Sequence, residues 1–246
     1  MRLRSLNFLL NSRYKLFKNI YYFYNIYLRN FKFLKKSSQF DEDSFIQKYF
    51  KNYGIGKYLD LGCFHPVRDN NTYQLYKRNW NGINIDLNPL TIELFNFSRP
   101  KDINLNYALS SKAGKKNFYF IGDFSPLNTL DSNQLNFLKR SFNINKSKYK
   151  IKKIRVENIN NILRKKKFNK IDFLSIDLEG YEYEVLKSFD FKRNQINLIC
   201  IEFLLQNSLS MKKSEKIKKL FKKNNFKFIY KTGVNHFYKN TRWNYQ

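Results

Sequence analysis

Cysteine is nearly absent: Cys63 and Cys200 are the only two, and neither sits in a Cys-x-x-Cys pair. A disulfide framework or a zinc site is therefore not expected, and the pattern suits a reducing, cytoplasmic setting. Long apolar runs are also lacking. No stretch approaches the roughly 20 apolar residues of a spanning helix, and no signal-peptide pattern is visible at the start. Glycine and proline are scarce, at eight and four, so the chain is not low-complexity or fibrous. Acidic residues are outnumbered, 19 against 47 basic, which leaves a formal charge of +28. At 246 residues the chain can bury a sizeable core as one domain with appendages.

Such a charge invites a nucleic-acid reading, but its distribution argues otherwise. Residues 1–36 carry nine Lys/Arg and no acid, whereas 37–110 are neutral. Residues 111–170 carry +13, 171–210 carry −4, and 211–231 carry +8. The basic segments thus lie outside the blocks that hold the chemical motifs described below.

The pattern divides the chain into residues 1–40, a basic aromatic helix and linker, and residues 41–246, the folded domain. Over residues 10–33, Leu10, Tyr14, Phe17, Tyr21, Tyr24, Leu28 and Phe31 recur at spacings of three and four, widened by Ile20 and Tyr27. Such a helix either lies on an anionic membrane surface or packs on the domain or a partner. Lys35 to Asp43 reads as a linker, with the fold starting near Phe45. Strands are predicted at 57–61, 82–85, 103–109, 117–121, 150–156, 171–176 and 196–203, and in a closing hairpin at 226–231 and 235–238. Helices are predicted at 72–78, 90–97, 157–164, 181–189 and 214–223. Alternating strands and helices imply an α/β fold: a mostly parallel, Rossmann-like sheet covered on both faces, closed by an antiparallel hairpin.

In open α/β sheets, ligands bind beyond the carboxyl ends of the strands, and three such ends are informative. Asp60-Leu61-Gly62-Cys63-Phe64-His65-Pro66 follows the first strand; its single glycine allows close approach to a ligand. An acid there suits a positively charged group, although an ordinary turn would read the same. Asp86 closes the second strand about 25 residues later, where a carboxylate can accept from ribose hydroxyls. A dinucleotide enzyme would want Gly-x-Gly-x-x-Gly in the first turn, and that pattern is missing. Ile176-Asp177-Leu178-Glu179-Gly180-Tyr181-Glu182 clusters three carboxylates at a strand end. Two of them could simply complement a helix N-terminus; three oxygen ligands could also hold Mg²⁺, which is not favoured. Glu202 ends a further strand at the same edge.

Several of these runs resemble the FkbM family of methyltransferases. They are Ile171 to Lys187 (Ile-Asp-Phe-Leu-Ser-Ile-Asp-Leu-Glu-Gly-Tyr-Glu-Tyr-Glu-Val-Leu-Lys), Leu59 to Pro66, Asn70-Asn-Thr-Tyr73, Gly82 to Pro89, Asn106 to Ser110 and Leu127-Asn-Thr129. The likeness spans roughly residues 45–205 and implies a Rossmann-like O-methyltransferase that uses S-adenosylmethionine. Its acceptor would be a hydroxyl of a sugar, a glycan or another small molecule. By position, Asp60, Gly62, Cys63 and Phe64 would wrap the methionine part, and Asp86 would hold the ribose. Leu87, Ala108 and Leu109 would flank the adenine, and Asp177 would face the transfer region. Two departures stand out: His65-Pro66 replaces a second glycine in the first loop, and Tyr181 occupies the place of the family's usual His.

Activating a hydroxyl calls for a base. Candidates are His65, Asp177, Glu179 and Glu202, and His65 has the most suitable ordinary pKa, although a loop histidine can equally be structural. His236 is expected to be structural. Cys63 reads as a small lining residue, not a nucleophile. The rival function is RNA methylation or plain nucleic-acid binding through the basic segments. Against it stand the Asp-Leu-Glu-Gly motif and an acidic reaction edge that would repel phosphates. Residues 1–36 would make any peripheral contact with the inner face of a membrane.

Overall fold

The computed structural model describes residues 9–10, 13–122, 125, 127–141, 143–203 and 208–243. A seven-stranded sheet forms the centre, with strands β1 (Lys57–Leu61), β2 (Asn81–Asp86), β3 (Ile103–Asn106), β7 (Lys170–Ile176), β8 (Gln195–Glu202), β9 (Phe226–Thr232) and β10 (Asn235–Asn240) in the order β3-β2-β1-β7-β8-β10-β9. Strands β1, β2, β3, β7 and β8 are mutually parallel, and β10 runs antiparallel to both β8 and β9. The α/β architecture with a closing hairpin is the one its hydrophobic pattern predicts.

Alternation along the central strands explains the two cores. Leu59, Leu61, Ile83, Ile85, Leu174 and Ile176 share one face and form the larger cluster. Tyr58, Phe173, Leu198, Cys200 and Phe237 point the other way, against Trp80 and Phe50. Both faces are buried because helices cover both, so these strands read as near-continuous apolar runs.

Helices α2 (Glu42–Tyr49), α3 (Tyr73–Lys77), α4 (Pro89–Ser98), α6 (Ile159–Lys165), α7 (Glu182–Leu186) and α8 (Ser208–Lys223) connect or flank these strands. Asn88 caps α4 by accepting from the Leu90 N–H at 3.0 Å, with Pro89 supplying a preset first turn. Asn158 caps α6 in the same way.

The structure departs from expectation in four places. The strand predicted over 103–109 breaks at Tyr107. Ala108 and Leu109 form β4, which leaves the main sheet to pair with β6 (Lys150–Glu157). Together with β5 (Gly114–Phe120) these strands make a separate three-stranded sheet, β4-β6-β5. Helix α5 (Ser132–Ser141) was not predicted.

The stretch expected as a linker is packed. Asp43 accepts from Ser38 Oγ at 2.6 Å and from the Ser37 N–H at 2.9 Å, and the Ser37 carbonyl accepts from the Asn70 N–H. Glu42, fully buried, accepts from the Phe40 N–H and from Asn235 Nδ2.

The helix expected over 10–33 is shorter and changes form. It is α-helical as α1 (Lys15–Phe23), widens to a π-helical turn at Tyr24–Leu28, and is followed by a 3-10 turn at Phe31–Leu34. Its buried side chains are Tyr21, Tyr22, Asn25 and Ile26, which meet Val67 and Leu94, and Tyr22 hydrogen-bonds Glu93. The packed face is thus rotated away from the seam that the periodicity suggests: of that seam Tyr21 is buried, with Leu10 and Tyr27 packed beside it at the edge of the cluster.

Candidate active site

Sheet order reverses between β1 and β7. The chain builds outward from β1 through β2 to β3, then returns to the other side of β1 with β7 and β8. At such a switch point adjacent loops diverge and leave a crevice. A cavity of about 540 Å³ lies there, lined from β1 by Gly62 and Phe64, from β2 by Asp86 and Leu87, from β7 by Asp177 and from β8 by Glu202.

Gly62 adopts φ +82, and a Cβ built on it would lie 1.7 Å from the Asp177 carbonyl oxygen. Only glycine lets the two loops cross this closely. The Asp177 N–H in turn donates to the Leu61 carbonyl at 2.9 Å. The first and third motifs are therefore one physical unit.

Asp86 is held by two backbone groups: Phe64 N–H donates to Oδ2 at 3.0 Å and Asn88 N–H donates to Oδ1 at 2.7 Å. Each oxygen keeps a further lone pair. Burial raises its pKa to about 6, opposed by those two hydrogen bonds. Leu87, Ala108, Leu109 and Tyr107 line the same end of the cavity.

Asp60, Cys63 and His65, expected at the site, do not line this cavity. Asp60 is buried beneath the loop and accepts from Thr72 Oγ1 at 2.9 Å and from Asn70 Nδ2 at 3.3 Å. Arg99, fully buried, donates to the same Thr72 and Asn70 and to the Pro66 carbonyl. This network shapes the loop from below. Cys63 turns into a small cluster with Ile92 and Phe95, and burial pushes its thiol pKa far up. His65 is buried, and its Nδ1 accepts from the Val67 and Arg68 N–H groups at 3.2 and 3.0 Å. Burial, with the nearby Arg68, Arg99 and Arg29, lowers its pKa to about 3. It is a neutral loop brace, not a base at the reaction centre.

The carboxylates separate by role. Glu182 Oε1 accepts from the Leu178 and Gly180 N–H groups, both at 3.0 Å, and so closes its own turn. Lys213 of α8 adds a bond to the Gly180 carbonyl and an ion pair with Asp131. Asp177, Glu179 and Glu202 line the cavity. Glu202 lies beside Asp177 where β8 and β7 end as neighbours. Desolvation, followed by the charge of Glu182, lifts Asp177 to about 7. Desolvation and the charge of Asp177 raise Glu202 further still, so Glu202 keeps its proton while Asp177 titrates first. Glu179, with φ +50, is also raised, by burial and by Asp177. Among the described residues, no group of three or more His, Cys, Asp or Glu side chains is arranged to hold a metal ion.

Sequence reasoning missed the other arm of the cavity. Gln39, Arg68, Asp69, Asn71, Asn128 and Asn235 line it. Asn71 and Asn128 fall in runs that carry the FkbM resemblance. Gln39 and Asn235 had no local signal: Asn235 reaches the site because β10 pairs with β8 so that it lies opposite Glu202.

The sequence model of the methyltransferase FkbM domain matches residues 50–228. The chain belongs to this family. Among solved structures it is similar to the methyltransferase FkbM from Methylobacillus flagellatus KT, at 11% identity and a TM-score of 0.46. That alignment covers 96% of this chain but only 58% of the neighbour's length. No curated protein matches it.

Proposed function

We propose that this chain transfers a methyl group from S-adenosylmethionine to a hydroxyl oxygen of a sugar, a glycan or another small molecule. The observation that carries this reading is that Asp86 and Asp177 line one cavity, Asp86 accepting from two backbone N–H groups and Asp177 raised to about 7.

The residues present fit the cofactor. Asp86 has free lone pairs for the ribose hydroxyls, Leu87 and Leu109 offer apolar surface to the adenine, and the Gly62–Phe64 backbone passes close enough to carry the methionine part. When bound, S-adenosylmethionine supplies a methyl group on a positively charged sulfur. Asp177 accepts the proton of the acceptor hydroxyl, and Glu202 beside it keeps its own proton. Gln39, Asn71 and Asn235 orient the acceptor, which removes motion that would otherwise add to the barrier.

Amide and carboxylate side chains are suited to hydroxyl groups, which donate and accept alike. Carboxylates predominate at the reacting end, which disfavours a phosphate-rich nucleic acid there.

Calorimetric titration with S-adenosylmethionine tests the reading. Asp86→Ala should weaken binding by roughly 10- to 1,000-fold, the worth of one or two hydrogen bonds to a charged group. A folded protein that does not bind S-adenosylmethionine would overturn it. Transfer of labelled methyl to glycans and nucleotide-sugars, but not to RNA, is the expected acceptor result.

A further inference from the structure

The N-terminal helix is apolar on two opposite sides. One side carries Tyr22, Asn25 and Ile26 into the domain. The other carries Leu16, Ile20 and Phe23, which recur at spacings of four and three and so share a face. Leu16 is 68% exposed and Phe23 50% exposed, and Phe17, Leu28 and Phe31 stand exposed on the same segment. A soluble surface rarely gathers so many large apolar groups without a partner.

Charge identifies that partner. The chain has no acidic residue from position 1 through position 40. Arg13, Lys15, Arg29, Lys32 and Lys35 flank the apolar face and are exposed. Among the described residues no helix is long and apolar enough to cross a membrane, so a surface contact is the relevant kind. Exposed aromatic and aliphatic side chains bordered by cations match a bilayer interface that carries anionic headgroups.

We propose that the outward face of residues 15–31 docks this protein on an anionic lipid surface. The side chains packed against the domain are not required for docking, so the helix stays in place as it binds. The same stretch of chain continues into Gln39 and Glu42, which line the cavity, so the docked segment borders the arm assigned to the acceptor. The proposal does not depend on the acceptor's identity.

Co-sedimentation of the full chain with vesicles tests it. The probes are phosphatidylcholine vesicles with roughly a third phosphatidylglycerol, and phosphatidylcholine alone. Binding should be at least about tenfold stronger on the anionic vesicles. The triple variant Leu16→Ser, Ile20→Ser and Phe23→Ser should keep the melting temperature, since all three side chains are exposed, and lose about tenfold or more in vesicle affinity. Equal binding to both vesicle types, no binding to either, or full binding by the triple variant would overturn the proposal. So would a wild-type dimer in light scattering that the variant dissolves while vesicles bind neither form; the face would then join two copies of the chain.

Discussion

Asp177 and Glu202 lie side by side where β7 and β8 end, and the Asp177 charge adds to burial in raising the Glu202 carboxyl. Two acids in contact cannot both ionise easily, so one keeps its proton and the other titrates near neutrality. Asp177 is raised to about 7 and Glu202 well beyond it. The transfer rate should therefore rise with pH through a midpoint near 7. Asp177→Asn should lower kcat by roughly 10²- to 10⁴-fold. Glu202→Gln, which keeps a neutral donor, should stay within about tenfold of wild type. A Glu202→Gln loss larger than that of Asp177→Asn would make Glu202 the base.

Gly62→Ala tests the crossing of the first and third motifs. Its Cβ would strike a backbone carbonyl, not the movable end of a side chain, and φ +82 disfavours any L side chain. A loss of about 3–5 kcal/mol in denaturant unfolding is expected. A variant as stable as wild type would mean that the two loops separate without cost.

Asp60 gives stability a pH slope. Burial raises its pKa from 3.8 to about 6, with Arg99 opposing. The native state then binds more protons than the unfolded chain between these values, so the group costs stability as pH rises from about 4 to about 6. The full difference is on the order of 3 kcal/mol. Asp60→Asn should remove this falling contribution, read as the wild-type-minus-variant unfolding free energy at pH 4.5 and 7. A pH-independent difference would show that Asp60 is not held protonated in the fold.

His65 contributes the opposite slope. Its folded pKa is lowered to about 3 from 6.5, so the unfolded chain takes up the proton first. Its stabilisation is present above about 6.5 and is lost as pH falls towards 3. His65→Asn should flatten that acid-side loss and lower the melting temperature, because two backbone N–H groups lose their acceptor geometry. The midpoint of the kcat–pH profile should not move. A shift in that midpoint would return His65 to the reaction centre.

Much of the sheet could be read in advance because buried parallel strands are short apolar runs between turns. Lys57–Leu61 was placed to the residue, and Asp86 and Asp177 line the cavity because it opens at the strand ends. Asp60, Cys63 and His65 lie off the cavity lining for one reason. A loop that reverses direction presents some side chains to the cavity and buries others, and spacing does not say which. Asp60 lies one register step from the crevice and points into a polar network with Thr72 and Asn70.

Sequence alone determined the α/β alternation, the family resemblance and the two strand-end carboxylates, because each depends on residues near one another in the chain. Tertiary structure alone decided what those residues touch. The pairing of β8 with β10 brought Asn235 opposite Glu202, and the crossing at Gly62 joined two motifs more than a hundred residues apart. It also chose which side of the N-terminal helix faces the core, because a helix apolar on two sides has two ways to pack, and only contacts such as Tyr22 with Glu93 distinguish them.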